Sequence, residues 1–418
     1  MRAQWPPSLV WLVYRGGWGF IGTLSWTTAA VYFIRTVGMS PLELVLAGTA
    51  LEVAYFLFEI PTAVVADLYS RRLSILIAAV LSGTAMIVIG LIPLAGWVIA
   101  GMALWGLGWT FRSGAEDAWL ADELGSQRLG AAYQRGAQVA RLTGLVGIGA
   151  SVGLALIALW LPFVAEGTSA LLLALVLALA MPEQGFTRAD RERHPLNVVA
   201  GLGTARTGAR VVRASPILLL VAVIVVLVGA FQEGFDRLWE AHLLLDVGLP
   251  PLGAVGDVAW FGILGAASLV LAFAVATPLV KRVERLRAER LARLLLTLHA
   301  VLLVTALTFA LAGTLWLAVT AYLATAVVRD LVSAPFSTWL NEAVTDSSVR
   351  ATVLSMTTVA GSLGEWTGGP TLGFIGNRWG VPSALSVGAL ALAPTLLLFA
   401  RAIRHHGTVV DPDAGRLA

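Results

Sequence analysis

The chain has 418 residues, of which 58% are hydrophobic and only 13% charged, and its mean hydropathy is +0.83. A water-soluble surface on a chain of this length needs far more charge, so the composition predicts an integral membrane protein. There is no cysteine, which excludes disulfides, thiolate metal sites and a cysteine nucleophile. The pI of 9.6 reflects arginines in loops and predicts no nucleic-acid partner.

About 20 apolar residues cross the hydrocarbon core. Runs of that kind predict twelve transmembrane helices, near 8–36, 41–66, 73–92, 97–121, 137–160, 162–181, 216–236, 255–280, 293–312, 314–340, 351–375 and 381–402. The first run is interrupted by Arg15 and is too long for the core of a signal peptide, so it reads as the first span. With the N-terminus in the cytoplasm, only Arg35, Arg237 and Arg378 fall outside, and Arg15, Arg112, Arg141 and Arg329 lie within spans. Every other basic residue is then inside, so both termini are expected in the cytoplasm. The single lysine, Lys281, follows Pro278-Leu279-Val280 rather than a glycine-rich loop, so no ATP site is expected.

The polar stretch 182–215 divides the chain. The expected architecture is all-α, with two pseudo-symmetric six-helix bundles at 1–181 and 216–402, a cytoplasmic linker at 182–215 and a cytoplasmic tail at 403–418. The halves resemble one another. Span four ends Ala118-Trp119-Leu120 and span ten ends Thr338-Trp339-Leu340. The next span in each half is rich in glycine, with Gly144, Gly147, Gly149 and Gly153 against Gly361, Gly364, Gly368, Gly369 and Gly373. Such repeats are a signature of transporter folds.

Charges inside a membrane cost about 2.5–3.5 kcal/mol on insertion scales and turn toward the bundle interior, so they point to function. Glu52 and Glu59 are seven apart and share a face of span two. Arg15 sits in span one at a depth like that of Glu59. Arg112 and Glu116 are four apart and can pair on one helix. Arg329 and Asp330 read as a second internal pair, and Glu365 stands beside Trp366 in span eleven. Glu52, Glu59 and Glu365 suit proton uptake and release, or contact with a cationic substrate. Glu116, Asp117, Asp122 and Glu123 read as gate or loop contacts. Among fifteen tryptophans, Trp5, Trp11, Trp97, Trp160 and Trp379 fall near span ends, as interfacial anchors do. The five histidines have no ligand spacing, so neither a metal nor another cofactor is expected.

The loop Asp67-Leu68-Tyr69-Ser70-Arg71-Arg72 between spans two and three, with the two-halves pattern, resembles the major facilitator superfamily along essentially the whole chain. That family's signature here joins an aspartate to paired basic residues. Ala63 and Ser70 stand where it has glycines. The resemblance implies a secondary transporter of a small molecule working by alternating access. It also implies a cytoplasmic latch at Asp67, Arg71 and Arg72, with Asp67 facing the start of span eleven near Ala351. It further implies that Trp26 and Trp366 line the cavity, where they could stack on substrate. Two drug-exporter signatures do not match: Arg112 follows Gly106 and Gly108, and the Gly-Pro pair is Gly369-Pro370 in span eleven. The expectation is proton-coupled export of a drug-like or amphipathic compound. The alternative is a facilitator or symporter for a nutrient such as a sugar or organic anion, and a membrane sensor or enzyme is the remote third. One lysine beside many arginines and alanines points to a GC-rich bacterial genome, hence an inner-membrane protein, expected as a monomer in the lipid bilayer.

Overall fold

The computed structural model describes residues 5–186, 216–252, 256–283, 286–343 and 347–409, and within them the chain is helical with no strand. Where they are described, the apolar stretches fall largely on helix. Among the described residues, eight helical stretches are long and apolar enough to cross a membrane by length and composition. The chain clusters into two compact units, residues 1–197 with 250–262, and residues 198–249 with 263–418.

The first unit begins with α1 (Pro7–Leu24), a short α2 (Ala29–Val31) and a π-helical turn Tyr32–Val37. Then come α3 (Pro41–Leu68), α4 (Arg71–Leu91), α5 (Ala95–Arg112), α6 (Ala115–Leu124), α7 (Leu129–Ile157) and α8 (Leu161–Ala180). Helix α3 starts on a reciprocal cap. The Ser40 N–H donates to Glu43 Oε2 at 2.8 Å, and the Glu43 N–H points back to Ser40 Oγ at 3.4 Å. In this unit two stretches depart from the expected single helices, and in the second unit the stretch 381–402 is split at Ala391-Leu392. The first is broken between Leu24 and Ala29. The fourth is split at Ser113-Gly114, where Gly114 has φ +74°, a backbone that a side chain would strain. The fifth helix starts at Leu129, earlier than the expected 137, because its first two turns are amphipathic rather than apolar.

Helix α1 packs on α7, α3 on α5, and α4 on α8. The α1–α7 seam is backbone against backbone: a Cβ at Gly147 would collide with Phe20 O, and one at Gly19 with Ala140 O. The buried cluster holds Val10, Trp11, Tyr14, Ile21, Trp119, Leu120 and Leu173. Trp11 lies in this cluster, 2% exposed, with Nε1 donating to Ala132 O at 2.9 Å. The expectation of an interfacial anchor is corrected there, because α7 covers the ring. Trp5, Trp97, Trp160 and Trp379 are exposed.

The remaining helices are α9 (Pro216–Ala241), a π-helical turn His242–Val247, α10 (Gly256–Val283), α11 (Ala288–Ala310), α12 (Leu315–Ala343), α13 (Ser347–Trp379), α14 (Val381–Leu390) and α15 (Ala393–Val409), which belong to the second unit except for the start of α10, through Gly262. Helix α9 packs on α13 and α11 on α12. Gly229, Gly364 and Gly368 make the α9–α13 seam as glycines do in the first unit, each leaving no room for a Cβ. The Trp339 ring is fully buried in this core beside Phe399, 5.5 Å between centroids, as Trp119 is in the other. The repeated Trp-Leu pair is therefore a core motif in both units.

Candidate functional site

In the first unit, Leu51, Glu52 and Tyr55 of α3 and Trp105 and Trp109 of α5 line a cavity of about 280 Å³. Residues 52 and 55 share a face of α3, and residues 105 and 109 share a face of α5, so each helix presents one stripe to the space. Trp26, in the break after α1, lies edge-on to Trp105 at 5.7 Å, and Trp105 lies 5.3 Å from Trp109. The Tyr55 hydroxyl donates to Glu59 Oε1 at 2.9 Å, one turn further along α3. The site is thus a row of indoles facing acids on α3.

The row continues into a charged cluster. The Arg112 guanidinium lies 3.9 Å from the Trp109 ring centroid and 4.5 Å from that of Trp18. Its Nε is 3.9 Å from Glu116 Oε2, across the α5–α6 break. Arg15 Nη1 is 3.7 Å from Glu116 Oε1, and the buried Tyr14 hydroxyl donates to Glu116 Oε2. The expected Arg112–Glu116 pair is present, but it is part of a larger set. Glu116 accepts from Tyr14 and sits between two arginines, rather than making a loop contact. Its place in the first turn of α6 adds the favourable field of a helix N-terminus.

One buried acid escaped the reading of the sequence. Glu166 of α8 is 2% exposed, and its Oε2 accepts the Ser25 N–H at 3.0 Å. That amide belongs to the C-cap of α1 and bonds to Glu166 rather than to a carbonyl of its own helix. Ser151 Oγ donates to Leu24 O at the same break, and Thr28 Oγ1 to Ser25 O at 3.2 Å. These residues fix the interrupted segment that carries Trp26. The signal was available: Glu166 is the one ionisable residue in the stretch 162–181.

At the loop 67–72, only Tyr69 and Ser70 separate α3 from α4. Arg71 pairs with Asp122 and also donates to Ala118 O at 2.7 Å, tying α4 to α6. Arg72 Nη2 donates to Ala178 O of α8 at 2.5 Å. Two arginines in the first turn oppose the helix field. Glu183 offsets them, accepting the Arg72 N–H at 2.9 Å and the Ser70 hydroxyl at 2.7 Å. Glu123 accepts the N–H groups of Gln184 and Gly185 at 2.6 and 2.8 Å, a loop contact as expected. Asp67 is exposed. The side chains around Ala351 lie outside the described residues, as does most of the linker.

In the second unit, Arg329 makes a two-pronged ion pair with Asp236 of α9, at 2.5 and 2.7 Å. This corrects the expected pairing with Asp330. Consecutive residues of a helix point about 100° apart and do not face each other, and Asp330 is exposed. Arg237 Nε pairs with Glu233 at 3.0 Å, and Tyr322 stacks on Trp239 at 4.2 Å. Glu365 and Trp366 are half-buried on α13, each engaged with neighbours. Among the described residues no group of three potential metal ligands converges.

A helical membrane chain with acids and indoles around a cavity, in two units with matching seams, can be compared with known proteins. The Major Facilitator Superfamily profile matches residues 16–365. The chain belongs to that family. It is a multi-pass membrane transporter of small molecules and not an enzyme. It is similar to the uncharacterised MFS-type transporter YxaM of Bacillus subtilis (strain 168), at 24% identity over 365 residues, 86% of each chain. Among solved structures it resembles the nucleoside transporter NupG, with a TM-score of 0.71 at 12% identity, over 96% of this chain and 99% of that one. It also resembles a bacterial homologue of the human lysosomal transporter Spinster, with a TM-score of 0.66 at 18% identity and 95% of each chain. A POT family transporter in complex with a thioalcohol-conjugated peptide gives a TM-score of 0.68 at 12% identity, over 96% of each chain. At these identities the solved structures speak for the fold.

Proposed function

We propose that this transporter exports a flat, amphipathic cation, driven by protons moving inward, through alternating exposure of one site to the two sides of the membrane. The observation that carries this reading is the cavity of Glu52, Tyr55, Trp105 and Trp109. A carboxylate beside indole faces attracts an organic cation both by charge and by the ring quadrupole. The volume sits at the lower end of small-molecule sites, which suits one aromatic head group. Glu52 contacts the cation, and Glu52, Glu59 and Glu365 are the candidates to carry the proton. Trp26 extends the aromatic row, Trp366 of the second unit is a further candidate to stack on substrate, and the Arg15–Arg112–Glu116 set holds α1, α5 and α6 in register. The ties made by Arg71 and Arg72 support a cytoplasmic latch at the Asp67 loop. The reading includes twelve spans in two six-helix bundles, both termini in the cytoplasm and a monomer in a bacterial inner membrane.

The test is proton flux in liposomes with an imposed pH gradient, on adding cationic dyes and antibiotics. Wild type is compared with Glu52→Gln, Glu59→Gln and Glu365→Gln. Substrate-dependent flux that one glutamine variant abolishes identifies the coupling acid. Gradient-independent equilibration of a nutrient, with no flux for any cation, refutes export.

A second reading is uptake of a neutral planar nutrient. The indole row favours it, as does the likeness to a protein named as a nucleoside transporter. An organic anion fits less well, because Arg329 is already engaged by Asp236.

A further inference from the structure

The two π-helical turns occupy matching places, each following the first helices of its unit. Each opens on a ring residue whose polar atom reaches the end of another helix. In the first, the Tyr32 hydroxyl donates to Ile89 O at 2.8 Å and Gly90 O at 3.1 Å, in the last turn of α4. In the second, His242 Nε2 lies 3.0 Å from Phe309 O, in the last turn of α11. Both rings are buried, at 0% and 1% exposure.

A carbonyl oxygen only accepts, so Nε2 must carry a hydrogen, as the Tyr32 hydroxyl must. A neutral imidazole then has a bare lone pair at Nδ1. That atom lies 3.0 Å from Asp246 Oδ2. A lone pair and a carboxylate oxygen at that distance repel unless a hydrogen lies between them. The contact therefore requires one proton beyond what a neutral ring facing a carboxylate holds. An imidazolium donates on both sides, to Phe309 O and to Asp246, and the part-exposed carboxylate keeps contact with water for its charge, so the proton is placed on Nδ1.

We propose that His242 and Asp246 form a proton-binding site at the end of α9. The ring is sealed, while the Asp246 side chain is 34% exposed and provides the route. Asp246 takes a proton from hydronium, releasing water, and passes it to Nδ1. The carboxylate is left ionised against an imidazolium. Of the elements packed on this turn, α14 has no ionisable residue, and α12 brings Tyr322, whose ring lies 6.0 Å from that of Phe309. Residues 300–310 of α11 offer only the Phe309 carbonyl and ring. Helix α9 itself carries Glu240, Asp236 and the Arg237–Glu233 pair in its preceding turns. Asp246 is thus the group that decides the state of Nδ1. The site is independent of the tryptophan cavity and of the direction of transport.

The experiment is ring-nitrogen NMR on full-length protein labelled with ¹⁵N-histidine, near neutral pH. His242→Tyr identifies the resonances. It restores the residue used at the equivalent place in the first unit, keeps a donor for Phe309 O, and is expected to fold. In wild type both His242 nitrogens are expected to be protonated, and in Asp246→Asn only Nε2. A wild-type ring with one protonated nitrogen overturns the proposal, and so does an imidazolium that Asp246→Asn leaves unchanged. Should Asp246→Asn fail to fold, the wild-type spectrum alone decides.

Discussion

The cavity separates two kinds of tryptophan that composition cannot distinguish. Trp119 and Trp339 are buried for packing, whereas Trp105 and Trp109 offer faces beside Glu52. Trp105→Ala should therefore raise the apparent KM for a cationic substrate about tenfold, within the range of a desolvated cation–π contact. Transport titrations check this, and an unchanged KM would place substrate elsewhere. Glu183 is the other residue with a sharp consequence. Glu183→Ala strips the acceptor from the Arg72 N–H and the Ser70 hydroxyl at a helix start that already carries two positive charges. The cost should be about 1–3 kcal/mol, read as a fall in thermal midpoint in detergent. Nothing in the local sequence marked Glu183, which read as the second residue of a linker. Its role exists only because α8 ends beside the start of α4.

Helices in a membrane gain little from hydrophobic contrast with lipid and associate through close packing at small residues. The glycines of α7 and α13 serve that purpose selectively. Gly147 and Gly364 leave no room for a Cβ, whereas a Cβ at Gly149 or Gly153 meets nothing within 4 Å. Gly147→Leu and Gly364→Leu should each separate a helix pair and abolish stable folding, while Gly149→Leu should leave the thermal midpoint within a degree or two. Size-exclusion profiles and melting curves of the three variants decide it. Equal damage from all three would mean that glycine content, not the seam, matters. Glycine enrichment was legible in the sequence, but which glycine touches a partner was not, since that depends on how each helix is rotated. The breaks at Ser25–Thr28 and Ser113-Gly114 were hidden for a related reason. The polar stretches there are too short to end a run, and at the first the polar backbone groups are satisfied from other helices, by Glu166 and Ser151.

At the scale of the whole chain, hydropathy carried most of the information. Where described, the apolar stretches lie largely on helix, and the family follows from the chain's resemblance over most of its length. Not every stretch is apolar enough by itself to qualify as a span. Helix α13 illustrates why: it is rich in glycine, serine and threonine, and Gly364 and Gly368 lie against α9. Pairings between helices were less legible: Arg329 with Asp236 spans 93 positions and could not be read from spacing. The proposed topology has a direct check, since the chain contains no cysteine. Single cysteines at Leu94 and Gly313 should react with a membrane-impermeant maleimide added to intact cells. A cysteine at Gln127 should react only after the membrane is opened. The reverse pattern would invert the chain and place the Asp67 loop outside.

The indoles of Trp26, Trp105 and Trp109 are near enough for their excited states to mix. Coupled chromophores of this kind contribute a paired circular dichroism band that depends on their mutual angle. A solute entering among them would change that angle and quench their emission. The chain thus carries its own optical gauge of cavity occupancy, and ligands can be screened with no dye attached and no knowledge of which way they travel.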